Sequence, residues 1–207
     1  MIRVDRAELT RNEIIRVAAN RFLNEGYTKT TVASMAKALN MSTGNMTFHF
    51  PTKDHMLAEL VDMLCKYQWK MMEDEAKDGY SSIMAICLEL LTIASACEQD
   101  DVAKDFFLSS YRREMCMEHI RKNDTDRAKE VFQEYCSDWS DEYFSEAETL
   151  VSGLEYAVFF TTSDSAPLDV RVAGALRTIL SIYNVPKEIR DEKNQEGAFD
   201  ELSKAGS

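Results

Sequence analysis

Helix breakers are scarce in this chain, and that scarcity narrows the folds open to it. Three prolines and seven glycines are all that interrupt 207 residues. A β fold needs frequent turns, and turns draw on glycine and proline. The residues that fill the polar positions here, Glu, Lys and Arg with Ala and Met among them, are good helix formers. Apolar residues make up 45% of the chain, ample for a buried core. The chain reads as all-α.

Local signals divide the first part into short helices. Thr10–Glu13 reads as a capping box opening a helix with Ile14, Ile15, Ala18, Phe22 and Leu23 on its apolar side. Gly26 is its natural stop. Thr31 is placed to cap a second helix that buries Val32, Met35, Ala36 and Leu39. Asn40 tolerates the left-handed backbone of a tight turn, and Met41 is apolar within it. A third helix starts at Ser42 or Thr43, turns Met46 and Phe50 inward, and ends before Pro51. Thr52 then caps a fourth, with Asp54 in its first turn facing the positive helix end. Two short helices joined by a tight turn, behind a longer supporting one, make a helix-turn-helix head.

The rest reads as further helices at 53–77, 81–98, 101–122 and 125–136. Ser145–Glu148 reads as a second capping box opening a helix to Thr162; another runs from Pro167 to Tyr183, and Pro186 fits the first turn of a last short one. The expected organisation is a head over residues 1–52, a helical body over 53–194 and a frayed tail over 195–207.

Charge is divided along the same line. Residues 1–57 hold eight Lys/Arg against five Asp/Glu, a net of +3, whereas the remaining 150 carry a net of -15. From Gly26 to Lys53 there is no Asp or Glu at all. A modestly basic head can meet a polyanion while an acidic body points away from it. There is no run of about 18 uninterrupted apolar residues and no apolar signal core near the start, which predicts a cytoplasmic protein with no membrane partner. Cys65, Cys87, Cys97, Cys116 and Cys136 are odd in number and widely spaced, which fits reduced, buried thiols.

In order and spacing, residues 10–57 resemble the DNA-binding domain of tetracycline-repressor-type (TetR family) transcriptional regulators. The matching positions are Gly26-Tyr27, Thr30-Thr31, Met35-Ala36, Met41-Ser42, Gly44, Phe48-His49-Phe50 and Thr52-Lys53. The resemblance covers about a quarter of the chain. The sequence departs from the family where Thr47 replaces a common phosphate-binding tyrosine, where Phe48 lacks a hydroxyl, and where Asn40 replaces the usual turn glycine.

A recognition helix must bring short polar or small side chains to the major groove at its N-terminal end. Thr43, Gly44 and Asn45 have that character, and the Asn45 amide suits bidentate pairing with adenine. Ala33 and Ser34 are secondary contacts. Thr31, Ser42, Thr47, His49 and Lys53 are the phosphate candidates, with Lys29 and Lys37 adding longer-range attraction. Phe48 falls within the same interface, although Phe48 and Phe50 also read as core. So few cations imply weak binding by one head, so a homodimer on a palindromic operator of double-stranded DNA is expected.

The dimer surface is expected on Leu150, Gly153, Leu154, Ala157 and Val158 with Val172, Ala175, Leu176, Ile179 and Tyr183, stripes that equally suit an internal core. The resemblance implies a small-molecule pocket in the body. Met63, Tyr67, Met71, Ile86, Leu90, Phe107, Tyr111, Phe132, Tyr135 and Phe159 are its candidate lining, each of which also reads as ordinary core. An effector that binds one head spacing more tightly than another would release the operator. No cofactor or metal is implied. Two rival readings stand beside this one. An enzyme using Cys116 and His119 lacks a third orienting group. A helical protein-interaction module that has lost specific DNA binding is suggested by Thr47 and the acidic body.

Overall fold

The computed structural model describes residues 6–77 and 82–190. Among them every regular element is helical: α1 (Arg6–Asn24), α2 (Val32–Ala38), α3 (Thr43–His49), α4 (Lys53–Lys77), α5 (Ser82–Gln99), α6 (Asp101–Tyr111), α7 (Glu114–Phe132), α8 (Asp141–Phe159) and α9 (Leu168–Ile182). Residues 187–190 begin one further helical turn after Pro186. The expected tail at 195–207 and the stop near Gly79 lie outside the described residues.

The chain forms two compact units. One contains the residues up to Cys65 together with Asp100–Ile120; the other contains Lys66–Gln99 and the residues from Arg121 on. The first unit packs α1, α2, α3 and α6 around Ile14, Ala18, Phe22, Met35, Met46, Phe50, Met56 and Leu57. Met41 in the α2–α3 turn and Phe107 and Tyr111 of α6 close its edges. In the second unit α5, α8 and α9 pack on one another through Leu90, Leu91, Ala94, Val151, Leu176 and Leu180. Phe132 stacks on Tyr183 with ring centroids 4.2 Å apart, and Trp139 tilts against the same tyrosine. α5 is long and apolar enough to cross a membrane by length and composition, with a mean hydropathy of 1.4. Its buried face nevertheless lies in this core, and Glu89 in its middle pairs with Arg127, as in a core helix of a water-exposed fold.

A polar cluster lies inside the second unit. Arg127 holds Glu89 and Asp124, and the Tyr183 hydroxyl donates to Glu148, which is 4% exposed. Burial, reinforced by the nearby Asp124, pushes the Glu148 carboxyl up to about 8.

Several helix boundaries differ from the sequence expectation. α1 already begins by Arg6, so Thr10 is interior and its hydroxyl donates to the Arg6 carbonyl at 2.9 Å instead of capping. α8 begins at Asp141 with Ser140 as its N-cap, so Ser145 is interior too, and Glu148 turns inward to Tyr183. The helix expected over 101–122 breaks at Arg112 and Arg113, and the one expected at 125–136 is the continuation of α7. No glycine or proline marks that break. At it, the Arg113 side chain bonds the Ser109 carbonyl at 2.7 Å and reaches Asp54 at 3.0 Å.

Candidate nucleic-acid interface

The helix-turn-helix is set by local hydrogen bonds between residues three to five apart. Thr31 accepts the Ser34 N–H at 3.1 Å, and the Ser34 hydroxyl oxygen accepts the Thr31 N–H at 3.3 Å, a reciprocal cap on α2. Asn40 takes the left-handed conformation, with φ of 51°. The Met41 N–H then returns to the Ala36 carbonyl at 3.0 Å. Ser42 accepts the Asn45 N–H at 3.1 Å and starts α3. Thr52 accepts the His55 N–H at 3.4 Å at the head of α4. Each cap satisfies a donor that a helix start would leave orphaned.

These bonds fix which side of α3 faces out. Met46 is fully buried and Phe50 nearly so, whereas Thr43, Gly44, Asn45, Thr47 and Phe48 are exposed and His49 is half-buried. Thr47 turns its hydroxyl back to the Gly44 carbonyl at 3.2 Å. Thr31 and Ala33 are exposed beside this face, Ser34 is half-buried, and Ser42 is exposed. The structure therefore gathers ten of the eleven expected contacts, from Thr31 to His49, around α2 and α3. Phe48 is 80% exposed, which removes it from the core reading; Phe50 is the aromatic of the pair that packs inside.

Lys53 departs from its expected role. Its Nζ donates to the carbonyls of Tyr27 and Thr30 at 2.8 and 2.9 Å and lies 3.9 Å from the centre of the Tyr27 ring. It staples the α1–α2 loop to the start of α4 instead of displaying its charge to a phosphate. Burial, with Arg113 nearby, holds its ammonium below the usual lysine range. The same junction carries a small network. Tyr27 donates to Asp54, and Arg113 Nε reaches Asp54 Oδ1 at 3.0 Å and the Tyr27 hydroxyl at 3.1 Å. Burial opposes ionisation of Asp54, but the hydrogen bonds from Tyr27 and Arg113 and the adjacent positive charges outweigh it and hold the carboxyl below its usual range. Arg11 is a further residue that the sequence pattern did not single out. Its guanidinium lies 4.1 Å from the Phe50 ring centre, bonds the His49 carbonyl at 3.2 Å and pairs with Glu59. It ties α1 to the end of α3, across 38 positions that no local motif links.

Residues 14–60 match the family model of the bacterial regulatory proteins of the tetR family. The likeness to that family rests on this N-terminal segment. A curated relative, the HTH-type transcriptional regulator QacR of Staphylococcus aureus, is 30% identical over 70 residues, 32% of this chain and 37% of that protein, so the match spans little more than a third of the relative's length. Among solved structures, the Thermus thermophilus TetR-family repressor FadR in complex with lauroyl-CoA is similar with a TM-score of 0.63 at 17% identity, over 84% of this chain and 92% of that one. SmeT, the repressor of a Stenotrophomonas maltophilia multidrug efflux pump, is similar with a TM-score of 0.56 at 14% identity, over 83% and 88%. At such identities the likeness is one of fold, and it extends through the helical body.

Cys116 is fully buried and burial pushes its thiol up to about 11, while His119 lies 3.6 Å from Asp62. The pair expected by the enzyme reading is a packed thiol and a surface histidine.

The expected pocket residues divide between the units. Met63, Phe107 and Tyr111 belong to the first; Tyr67, Met71, Ile86, Leu90, Phe132, Tyr135 and Phe159 belong to the second. Met63, Tyr67 and Met71 are exposed, and Ile86, Phe107, Tyr111 and Tyr135 half-buried. Leu90, Phe132 and Phe159 are core. A cleft of about 560 Å³ in the first unit is lined by none of the ten but by Leu108 and a majority of polar groups, including Thr28, Asp54, Lys104, Asp105 and Arg113. The expected dimer stripes also separate. Val158, Val172, Ala175, Leu176, Ile179 and Tyr183 are buried within the second unit, so they are core and not surface, because α9 turns its apolar side onto α5 and α8. Leu150, Gly153 and Ala157 are exposed on α8, with Leu154 half-buried beside them.

Proposed function

We propose that this chain is a homodimeric transcriptional repressor that binds a palindromic operator in double-stranded DNA and is released by a small-molecule effector. The reading divides the chain into a DNA-binding head over residues 1–52 and an effector-binding and dimerising body over 53–194, at work in the cytoplasm. One observation carries it: α3 turns Thr43, Gly44, Asn45 and Phe48 outward on a segment without a single acidic residue, while Met46 and Phe50 anchor its other side. That is the arrangement a major-groove helix needs, with small and polar groups toward base edges and no carboxylate opposing the phosphates. Thr31, Ser42, Thr47 and His49 stand around it for backbone contacts. Exposed Leu150, Gly153 and Ala157 on α8, with half-buried Leu154 beside them, supply the face for the second copy. The similar FadR structure holds lauroyl-CoA; the effector proposed here is a small molecule of the body, without a defined class.

The test is selection of genomic fragments on the purified protein at low salt, followed by binding measured against salt concentration. An enriched palindrome with a steep salt dependence supports the repressor. Failure to enrich any sequence overturns it and leaves a helical protein-interaction module.

A further inference from the structure

Phe48 is the most exposed large apolar side chain among the described residues, at 80%, and it stands on the helix that the functional reading places in the major groove. At about 100° per residue, Gly44 and Phe48 share one line along α3, on the side opposite buried Met46. Among the described residues, the aromatic partner of Phe48 is the neighbouring His49 ring, met edge-on at 5.3 Å between centroids. An exposed phenyl ring gains nothing from water, and having no donor or acceptor it cannot bond a phosphate or a polar base edge.

Gly44 adds to this. A Cβ there would meet only the Ser42 hydroxyl, at 3.9 Å, so no contact among the described residues calls for glycine. Glycine in a helix costs about 1 kcal/mol relative to alanine. The outermost line of α3 is therefore a notch followed by an apolar ring, set in a stretch free of acid from Gly26 to Lys53. Its charge suits DNA, and the apolar group that the major groove displays is the C5-methyl of thymine.

We propose that Phe48 is a specificity-determining residue that packs on thymine methyl groups in the operator. The assignment rests on the DNA-binding reading above. The experiment uses the selected operator with each dT replaced in turn by dU, which removes the methyl and nothing else. Affinities of the wild-type chain and of Phe48→Ala are measured by fluorescence anisotropy at fixed salt. One or two dU positions per half-site weaken wild-type binding by about fourfold each, the worth of one buried methyl group. The same positions leave Phe48→Ala unaffected, and Phe48→Leu retains part of the effect. Because the side chain is exposed, Phe48→Ala melts as the wild type does and keeps the wild-type salt dependence. Wild-type affinity indifferent to every dU, or equal dU sensitivity in Phe48→Ala, overturns the assignment while operator binding stands. A wild-type chain that enriches no DNA sequence overturns both.

Discussion

Asp105 of α6 accepts the Thr28 backbone N–H at 2.7 Å through one carboxylate oxygen and the Thr28 hydroxyl through the other, joining positions 77 apart in the chain. Gly26 makes room for this: its φ is +93°, and a Cβ there would stand 3.0 Å from Asp105 Oδ2. The α1–α2 loop is thus held by a helix far away in sequence. Asp105→Ala is expected to destabilise the first unit by about 1.5–3 kcal/mol, the range for hydrogen bonds to a charged group. Urea denaturation measures the loss, and hydrogen exchange locates it at the Thr28 amide. Gly26→Ala acts on the same loop by straining its backbone.

Lys53 offers a sharp contrast between a structural and a DNA-contacting cation. Lys53→Met removes both donors to the Tyr27 and Thr30 carbonyls. It is expected to cost about 1–3 kcal/mol of stability. Operator binding by the folded fraction keeps its salt slope, whereas loss of a phosphate contact would lower that slope by about 1. Titrations at several salt concentrations on thermally matched samples decide between the two.

Glu148 sets a pH dependence of stability. Buried beside Asp124, Arg127 and Tyr183, its carboxyl is pushed up to about 8 from an ordinary value of 4.5. Between those pH values the folded chain keeps a proton that the unfolded chain releases, so this group lowers stability as pH rises from 4.5 toward 8. Below the window it has no effect, and above it the loss is complete. Glu148→Gln keeps an acceptor for the Tyr183 hydroxyl and does not titrate. Thermal melts between pH 5 and pH 8.5 should therefore show wild-type Tm falling relative to Glu148→Gln by several degrees, at roughly 2–4 °C per kcal/mol for a chain this size. Parallel pH profiles for the two proteins would count against the buried proton.

The exposed face of α8 predicts the oligomeric state. Leu150 is 56% exposed, and a Cβ at Gly153 would meet nothing within 4 Å. Leu150→Glu is expected to raise the dimer dissociation constant at least about tenfold, equivalent to 1.4 kcal/mol. Sedimentation velocity over a concentration series reads it directly. Ile179→Glu, by contrast, places a charge in the core of the second unit and should unfold it.

Much of the head was legible because its determinants are local. The caps at Thr31, Ser42 and Thr52 bond amides three residues on, and Asn40 takes its left-handed turn by its own residue type. The same local rule misled at Thr10 and Ser145. A threonine or serine three residues before a glutamate also occurs inside helices, and only the turns upstream decide which it is. The stripes of α8 and α9 were visible as stripes, but α9 faces its own unit and the outer line of α8 faces solvent. Both show the same spacing in sequence.

By itself the sequence determined an all-helical chain with a helix-turn-helix near its start, because breaker placement, capping and apolar spacing act over three or four residues. It also determined the acid-free surface of α2 and α3, since charge is a property of residue type. Only the tertiary structure decided that Lys53 closes a loop, that Phe48 and not Phe50 faces outward, that Arg113 reaches Asp54 at the break after α6, and that Glu148 keeps a proton. Each of these depends on partners 26 to 86 positions away or on which side of a helix the core claims. Those partners meet only after packing has removed water from between them, and removing that water is what changes the energy of a charge, a hydroxyl or a ring.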